Sequence, residues 1–267
     1  VWGVEDIVMC PGKEDMFNFL EDIVREVVPL FPGKYFHIGG DECPKTSWKN
    51  CPTCQKRIQA EGLQADGKHS AEERLQSYVI KRMEKMLAKY DRKIIGWDEI
   101  LEGGLSPDAT VMSWRGTSGG ISAALQKHDV IMTPGSGGLY LDHYQGDYKI
   151  EPVTIPSAPA YLSRTYNYEP VPDTIKSLGL EKHILGVQCN NWSEYMYTNA
   201  KMEYQMYPRS LALAEIAWSP AKKKNFTDFA RRVDANSVRL DERHVRYHIP
   251  LPEQPYGSCD KVVITKD

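Results

Sequence analysis

Two carboxylates stand side by side after two glycines in the run His37-Ile38-Gly39-Gly40-Asp41-Glu42. One carboxyl can move a proton while its neighbour steadies developing charge. The glycines would let a ligand approach the backbone closely. The same run also reads as a helix start, because acids favour the positive end of a helix dipole. Further along lie Trp97, Trp114 and Trp192, the tyrosine of Tyr140-Leu141-Asp142 and the acid Glu194. Aromatic faces pack against the C–H face of a sugar while its hydroxyls find polar partners. Six tryptophans and fifteen tyrosines make that chemistry plausible on composition as well.

The elements that must position these residues alternate. Asp15 to Leu30 carries apolar residues at helical spacing and ends at Pro29 and Pro32-Gly33. Tyr35 to Ile38 reads as a buried strand, Glu72 to Tyr90 as a helix, and Lys93 to Trp97 as the next strand. Strands are expected at Thr110–Trp114, Val130–Thr133 and Ile184–Cys189, with helices at Gly119–Lys127, Asp173–Leu178, Tyr204–Trp218 and Phe226–Arg243. Alternation of this kind predicts an α/β chain with a parallel sheet. About five βα units result, and each chemically interesting cluster falls at the end of a strand, where a (β/α)8 barrel places its site. Pro250 to Pro255 reads as a linker, and Lys261 to Thr265 as the start of a strand in a following module.

The bulk properties exclude several classes. Charged residues make up 26% and the formal net charge is -3. With no basic stripe interleaved with aromatics, nucleic acid is not an expected partner. Lys222-Lys223-Lys224 reads as a solvated helix entry. No apolar run is long enough to span a bilayer. Val1-Trp2-Gly3 is neither a signal peptide nor an initiator methionine, so the sequence is expected to be a processed or excised piece.

Of six cysteines, Cys51-Pro-Thr-Cys54 forms a CxxC placed in a loop. A zinc site would want a second such pair or a His pair, and none follows at the right spacing. A structural role is expected, with a local disulfide open in an oxidising compartment.

The run His37 to Glu42 resembles the H-x-G-G-D-E signature of family 20 glycoside hydrolases, the β-N-acetylhexosaminidases. The resemblance continues in order through Gly96-Trp97-Asp98-Glu99, Ser113-Trp114-Arg115-Gly116, Tyr140-Leu141-Asp142 and Trp192-Ser193-Glu194, over roughly residues 10 to 250. It implies a TIM-type (β/α)8 barrel, of which residues 1–249 would be the C-terminal portion and 250–267 the linker and following module. It implies removal of terminal N-acetylglucosamine or N-acetylgalactosamine from a glycan, with retention. The substrate's own acetamido oxygen would be the nucleophile, so no metal or organic cofactor is implied.

Residue by residue, the resemblance makes Glu42 the general acid and base, with its pKa raised by an apolar, partly dry site, and Asp41 the acceptor of the acetamido N–H. Tyr140 would hydrogen-bond the acetamido carbonyl, and Asp142, in the same loop, would assist at the acetamido or the O6 side. Trp97, Trp114 and Trp192 would wall the pocket, Glu194 would bind O4 and O6, and His37 would support the carboxylates from behind. Asp98 and Glu99 match too, without an expected chemical role. An extracytoplasmic location is implied by resemblance only.

Two departures matter. A further pocket tryptophan is replaced by Tyr168 in Tyr166-Asn167-Tyr168-Glu169-Pro170. The family's barrel also begins about three βα units earlier, and the missing part would carry a sugar-gripping Arg and a His–Asp pair. The barrel is therefore incomplete, with edges and apolar helix faces that need the missing half, a self-copy or another chain. Activity is expected of the parent protein rather than of this chain alone. One alternative is a non-catalytic carbohydrate-binding barrel fragment. Another is a two-carboxylate retaining glycosidase using Glu42 and Glu194, which would sit about 5–5.5 Å apart.

Overall fold

The computed structural model describes residues 3–250, so the expected linker and following strand lie outside the described residues. Five short parallel strands form one sheet in the order β1-β2-β3-β4-β5. They are β1 (Tyr35–His37), β2 (Lys93–Trp97), β3 (Thr110–Ser113), β4 (Val130–Met132) and β5 (Ile184–Val187). The sheet follows chain order and is open rather than closed, the α/β architecture expected of part of a barrel.

The chain divides into two compact units: Val1–Met112 with Ser122–Val130, and Ser113–Ile121 with Ile131–Asp267. In the first unit, α1 (Glu14–Val27) precedes β1, and α2 (Thr46–Asn50), α3 (Pro52–Ala60) and α4 (Ala71–Ala88) separate β1 from β2. Tyr35 pairs with Lys93 and His37 with Ile95; Ile95 then pairs with Thr110 and Trp97 with Met112. Ser70 and Glu73 form a reciprocal capping box at the start of α4, a device worth about 1 kcal/mol. Leu75, Cys54, Ile58 and Trp48 bury together where α2, α3 and α4 meet.

Two readings are corrected in this unit. The CxxC stretch is not a loop: Cys51 caps α3, with Pro52 in its first turn. Proline is well suited there because its missing N–H has no intrahelical partner to lose. β1 is not buried either. Tyr35 and His37 are exposed and Phe36 half-buried, as on an edge strand. The expected uncovered apolar surface is present on α1, where Phe19 and Ile23 are 54% and 42% exposed.

The second unit contains α6 (Leu162–Asn167), α7 (Asp173–Ser177), α8 (Asn199–Met206), α9 (Arg209–Trp218) and α10 (Phe226–Glu242); α5 (Ser118–Leu125) runs across the unit boundary. Its core gathers Leu162, Tyr166, Ala212, Phe229 and Val233 from α6, α9 and α10. The single helix expected from Tyr204 to Trp218 is two helices, because Pro208 cannot continue a helix from the preceding turn. α6 was not expected, since its six residues are too few for a periodic signal. No helix among the described residues is long and apolar enough to cross a membrane.

Candidate active site

In the first unit the motif residues stand on a tight turn built on two glycines. After β1 the chain passes through Gly39 (φ 72°), Gly40 (φ 98°) and Glu42 (φ 44°). A Cβ on Gly40 would meet Ile100 at 2.7 Å, so space as well as φ requires glycine. Ile38 donates to the Ile95 carbonyl at 2.9 Å, and Trp97 donates to the Gly39 carbonyl at 3.0 Å. From α4, Gln76 donates to the Gly40 carbonyl at 2.9 Å. The double-glycine turn is thus held from β2 on one side and α4 on the other. The sequence reading missed Gln76, which carries no motif.

His37 and Trp97 pack ring to ring, centroids 4.7 Å apart. Gly39 donates its N–H to His37 Nδ1 at 3.0 Å, which leaves Nε2 to carry the proton of the neutral ring. Burial of the imidazole holds its pKa below the usual histidine value, against the opposing pull of Asp41. Although His37 is open to solvent as a residue, its ring is crowded on one face by the indole. Asp41 and Glu42 are both exposed. Among the described residues Glu42 is therefore without the apolar, partly dry surroundings expected for it. Asp98 and Glu99 are buried in the helical turn that follows β2.

In the second unit the remaining aromatic candidates come together. Tyr140 lies on a short extended segment that bridges in parallel to Asn190. Leu141 donates to the Asn190 carbonyl at 2.7 Å, and Asn190 donates to the Leu139 carbonyl at 2.9 Å. This pairing brings Trp192 beside Tyr140, with ring centroids 6.5 Å apart and planes at 75°. Trp114, just after β3, stacks on the same tyrosine ring at 6.5 Å and 10°. His143 meets the same ring edge-on at 5.6 Å. Its pKa falls to about 4, chiefly through burial and then through the positive charges of Arg209 and Arg164. Glu194 is exposed.

Asp142 is 1% exposed. Burial raises its pKa to about 6, and the nearby charge of Glu194 adds to the rise. Arg209 and the backbone N–H groups of Asp142 and Trp192 pull the other way. Neither carboxylate oxygen has a partner that meets full hydrogen-bond geometry.

The loop that carries Asp142 is clasped from α8 and α9. Arg209 is fully buried and donates to the carbonyls of Leu141, Ala160 and Gln205. Gln205 donates to the Asp142 carbonyl at 3.4 Å and to Thr154 Oγ1 at 2.9 Å, and Thr154 in turn donates to the Asp142 carbonyl. The sequence reading missed both Arg209 and Gln205. The available signal was an arginine directly after Pro208, inside what looked like one continuous helix.

Tyr168, the expected replacement for a pocket tryptophan, packs its ring on Gly137, where a Cβ would come within 2.6 Å. Its hydroxyl is buried without a hydrogen-bond partner, and burial pushes its pKa up.

Known proteins match this arrangement in sequence and fold. The pattern of "Glycosyl hydrolase family 20, catalytic domain" matches residues 1–221. A β-hexosaminidase of Porphyromonas gingivalis is 57% identical over 267 residues, which is 99% of this chain and 33% of that protein. A β-hexosaminidase of Vibrio furnissii is 35% identical over 78% of this chain and 33% of its own length. The chain thus spans about a third of these relatives.

Among solved structures, the family 20 exo-β-N-acetylglucosaminidase of Vibrio harveyi, in complex with N-acetylglucosamine, aligns with a TM-score of 0.83 at 29% identity. That alignment covers 92% of this chain and 38% of the other. The β-N-acetylhexosaminidase of Bacteroides fragilis aligns at 0.78 and 27% identity, over 94% and 49%. With its motif turn, its parallel strands and these matches in agreement, the chain belongs to glycosyl hydrolase family 20, as part of the family's catalytic domain.

Proposed function

We propose that the protein of which this chain is part is an exo-acting β-N-acetylhexosaminidase that works with retention through its substrate's acetamido group. Glu42 protonates the leaving oxygen and then deprotonates the incoming water. Asp41 accepts a hydrogen bond from the acetamido N–H and stabilises the positive charge that grows on that group. Tyr140 donates to the acetamido carbonyl, and Asp142 assists from the same loop, at the acetamido or the O6 side. Trp97, Trp114 and Trp192 pack on the sugar and the acetamido methyl, and Glu194 binds O4 and O6. His37 positions the Asp41–Glu42 turn.

The observation that carries the reading is the turn at Gly39, Gly40 and Glu42, all with positive φ. It turns two adjacent side chains out of strand alternation, which adjacent carboxylates need if they are to serve opposite ends of one sugar.

The test is hydrolysis of a chromogenic N-acetylglucosaminide and its galacto counterpart by the full-length parent protein, with and without a thiazoline mimic of the oxazoline. Turnover that the mimic blocks and that Glu42→Gln lowers supports the proposal. Equal turnover of plain glucosides would instead favour a two-carboxylate mechanism with Glu42 and Glu194.

A second reading applies to the isolated chain. Asp41 and Glu42 are exposed, and the chain spans a third of its relatives. By itself it is a carbohydrate-binding barrel fragment, needing the rest of the barrel or a second copy to cover the β1 edge and α1. Binding of N-acetylglucosamine without turnover by this chain, beside an active parent, is the expected result.

A further inference from the structure

Three cysteines that play no part in the proposed chemistry converge in the first unit. Cys10 arrives from the segment before α1, and Cys51 and Cys54 from the start of α3, 41 and 44 residues away. Cys10 Sγ lies 3.6 Å from Cys51 Sγ and 3.5 Å from Cys54 Sγ. The three Sγ atoms all fall within 4.8 Å of one another.

A disulfide needs sulfurs about 2.05 Å apart, so these spacings are not those of a bonded pair. Sulfurs that share one tetrahedral zinc at about 2.3 Å each stand about 3.8 Å apart, and the observed spacings approach that edge. An iron–sulfur cluster would ask for four cysteines.

The surroundings hold the thiols in place. Cys54 is fully buried against Trp48, Ile58 and Leu75. Gly12 lies so close to the first turn of α3 that a Cβ would meet the Thr53 carbonyl carbon at 2.4 Å and the Cys54 nitrogen at 2.7 Å. Trp48 donates its indole N–H to the Met9 carbonyl at 2.8 Å, next to Cys10. Thr53 Oγ1 is 3.0 Å from Cys51 Sγ and 3.3 Å from Cys10 Sγ, placed to donate to a sulfur anion. Cys51 and Cys10 are half-buried, which leaves one side open to solvent.

We propose that Cys10, Cys51 and Cys54 bind one zinc ion as three thiolates, with a water in the fourth position. Binding releases the three thiol protons to solvent, and no electron is transferred. The CxxC supplies only two ligands, and the upstream cysteine completes the set, which is why the spacing of the sequence did not reveal it. The ion ties the segment leading into α1 to the connection that follows Asp41 and Glu42. Its role is structural and does not depend on the proposed hydrolase mechanism.

The test uses the full chain, reduced, desalted anaerobically and analysed for metal by mass spectrometry. About one zinc per chain is expected to survive desalting, and Co(II) substitution should add an intense thiolate-to-metal charge-transfer band. Cys10→Ser, Cys51→Ser and Cys54→Ser should each lose stoichiometric metal, while Cys189→Ser keeps it. Chelation should lower Tm of the wild type but not of the serine variants. Absence of retained zinc together with absence of the Co(II) band in the wild-type protein overturns the proposal, with no need for the variants to fold. So does a disulfide joining any two of the three in protein alkylated without reductant from its native compartment.

Discussion

The ring of Tyr140 lies parallel to that of Trp114, 6.5 Å away at 10°, while Trp192 meets it at 75°. The phenol ring thus packs against two indoles, and its hydroxyl can be removed without moving the ring. Tyr140→Phe should therefore lower kcat/KM of the full-length parent about a hundredfold. Its unfolding free energy should change by less than about 1 kcal/mol. Steady-state kinetics beside a denaturant titration checks both, and a large stability loss with normal kinetics would remove Tyr140 from the site.

Glu42→Gln keeps the shape of the turn and removes the titrating proton. A fall in kcat of about 10²–10⁴ is expected on an N-acetylglucosaminide with a poor leaving group. The loss should shrink with an activated aryl leaving group that needs little protonation. A loss of equal size with both substrates would argue against a general-acid role.

Gly40 combines φ 98° with an Ile100 methyl that would sit 2.7 Å from any Cβ. Gly40→Ala should cost about 1–3 kcal/mol in stability. It should also depress kcat more than KM, because the turn sets where both carboxylates point. Gly33, with open space where a Cβ would lie and no positive φ, is the control position for the same substitution.

Asp142 has a pKa raised to about 6 by burial. A carboxyl raised in the fold favours folding fully below its ordinary pKa, and that contribution is lost as pH rises through about 6. Asp142→Asn does not titrate, so the variant should gain on the wild type by about 1.5 kcal/mol between pH 5 and pH 7.5, the upper half of the roughly 3 kcal/mol that a two-unit shift makes over its full range. Urea midpoints at the two pH values measure it, and a pH-independent difference would contradict the buried carboxyl.

Arg209 is the one fully buried cation of the clasp behind Asp142, and three backbone carbonyls accept from it. Arg209→Met fills much of the volume but strands those acceptors, at an expected cost of about 3–5 kcal/mol. The loop with Tyr140 and Asp142 should loosen with it, seen as faster amide exchange at Leu141 and Asp142.

Much of the chemistry was legible from residue order alone. His37 to Glu42 carries its conformation in its composition, since two glycines at positive φ leave little choice but a tight turn. The strand at Lys93–Trp97 and the helix over Ala71–Ala88 follow from local periodicity, which needs only neighbours along the chain. α6 and the break at Pro208 were less visible, because six residues make too little pattern and a proline's effect depends on the turn it meets.

Tertiary structure alone decided what lies far apart in sequence. It exposed β1 as an edge, since burial of a strand depends on what covers it and not on its own apolar residues. It set Arg209 under the Tyr140–Asp142 loop across 68 residues, and Cys10 against Cys54 across 44. A side chain's type is written in the chain, but its partner is set by packing, and packing is a property of the whole fold.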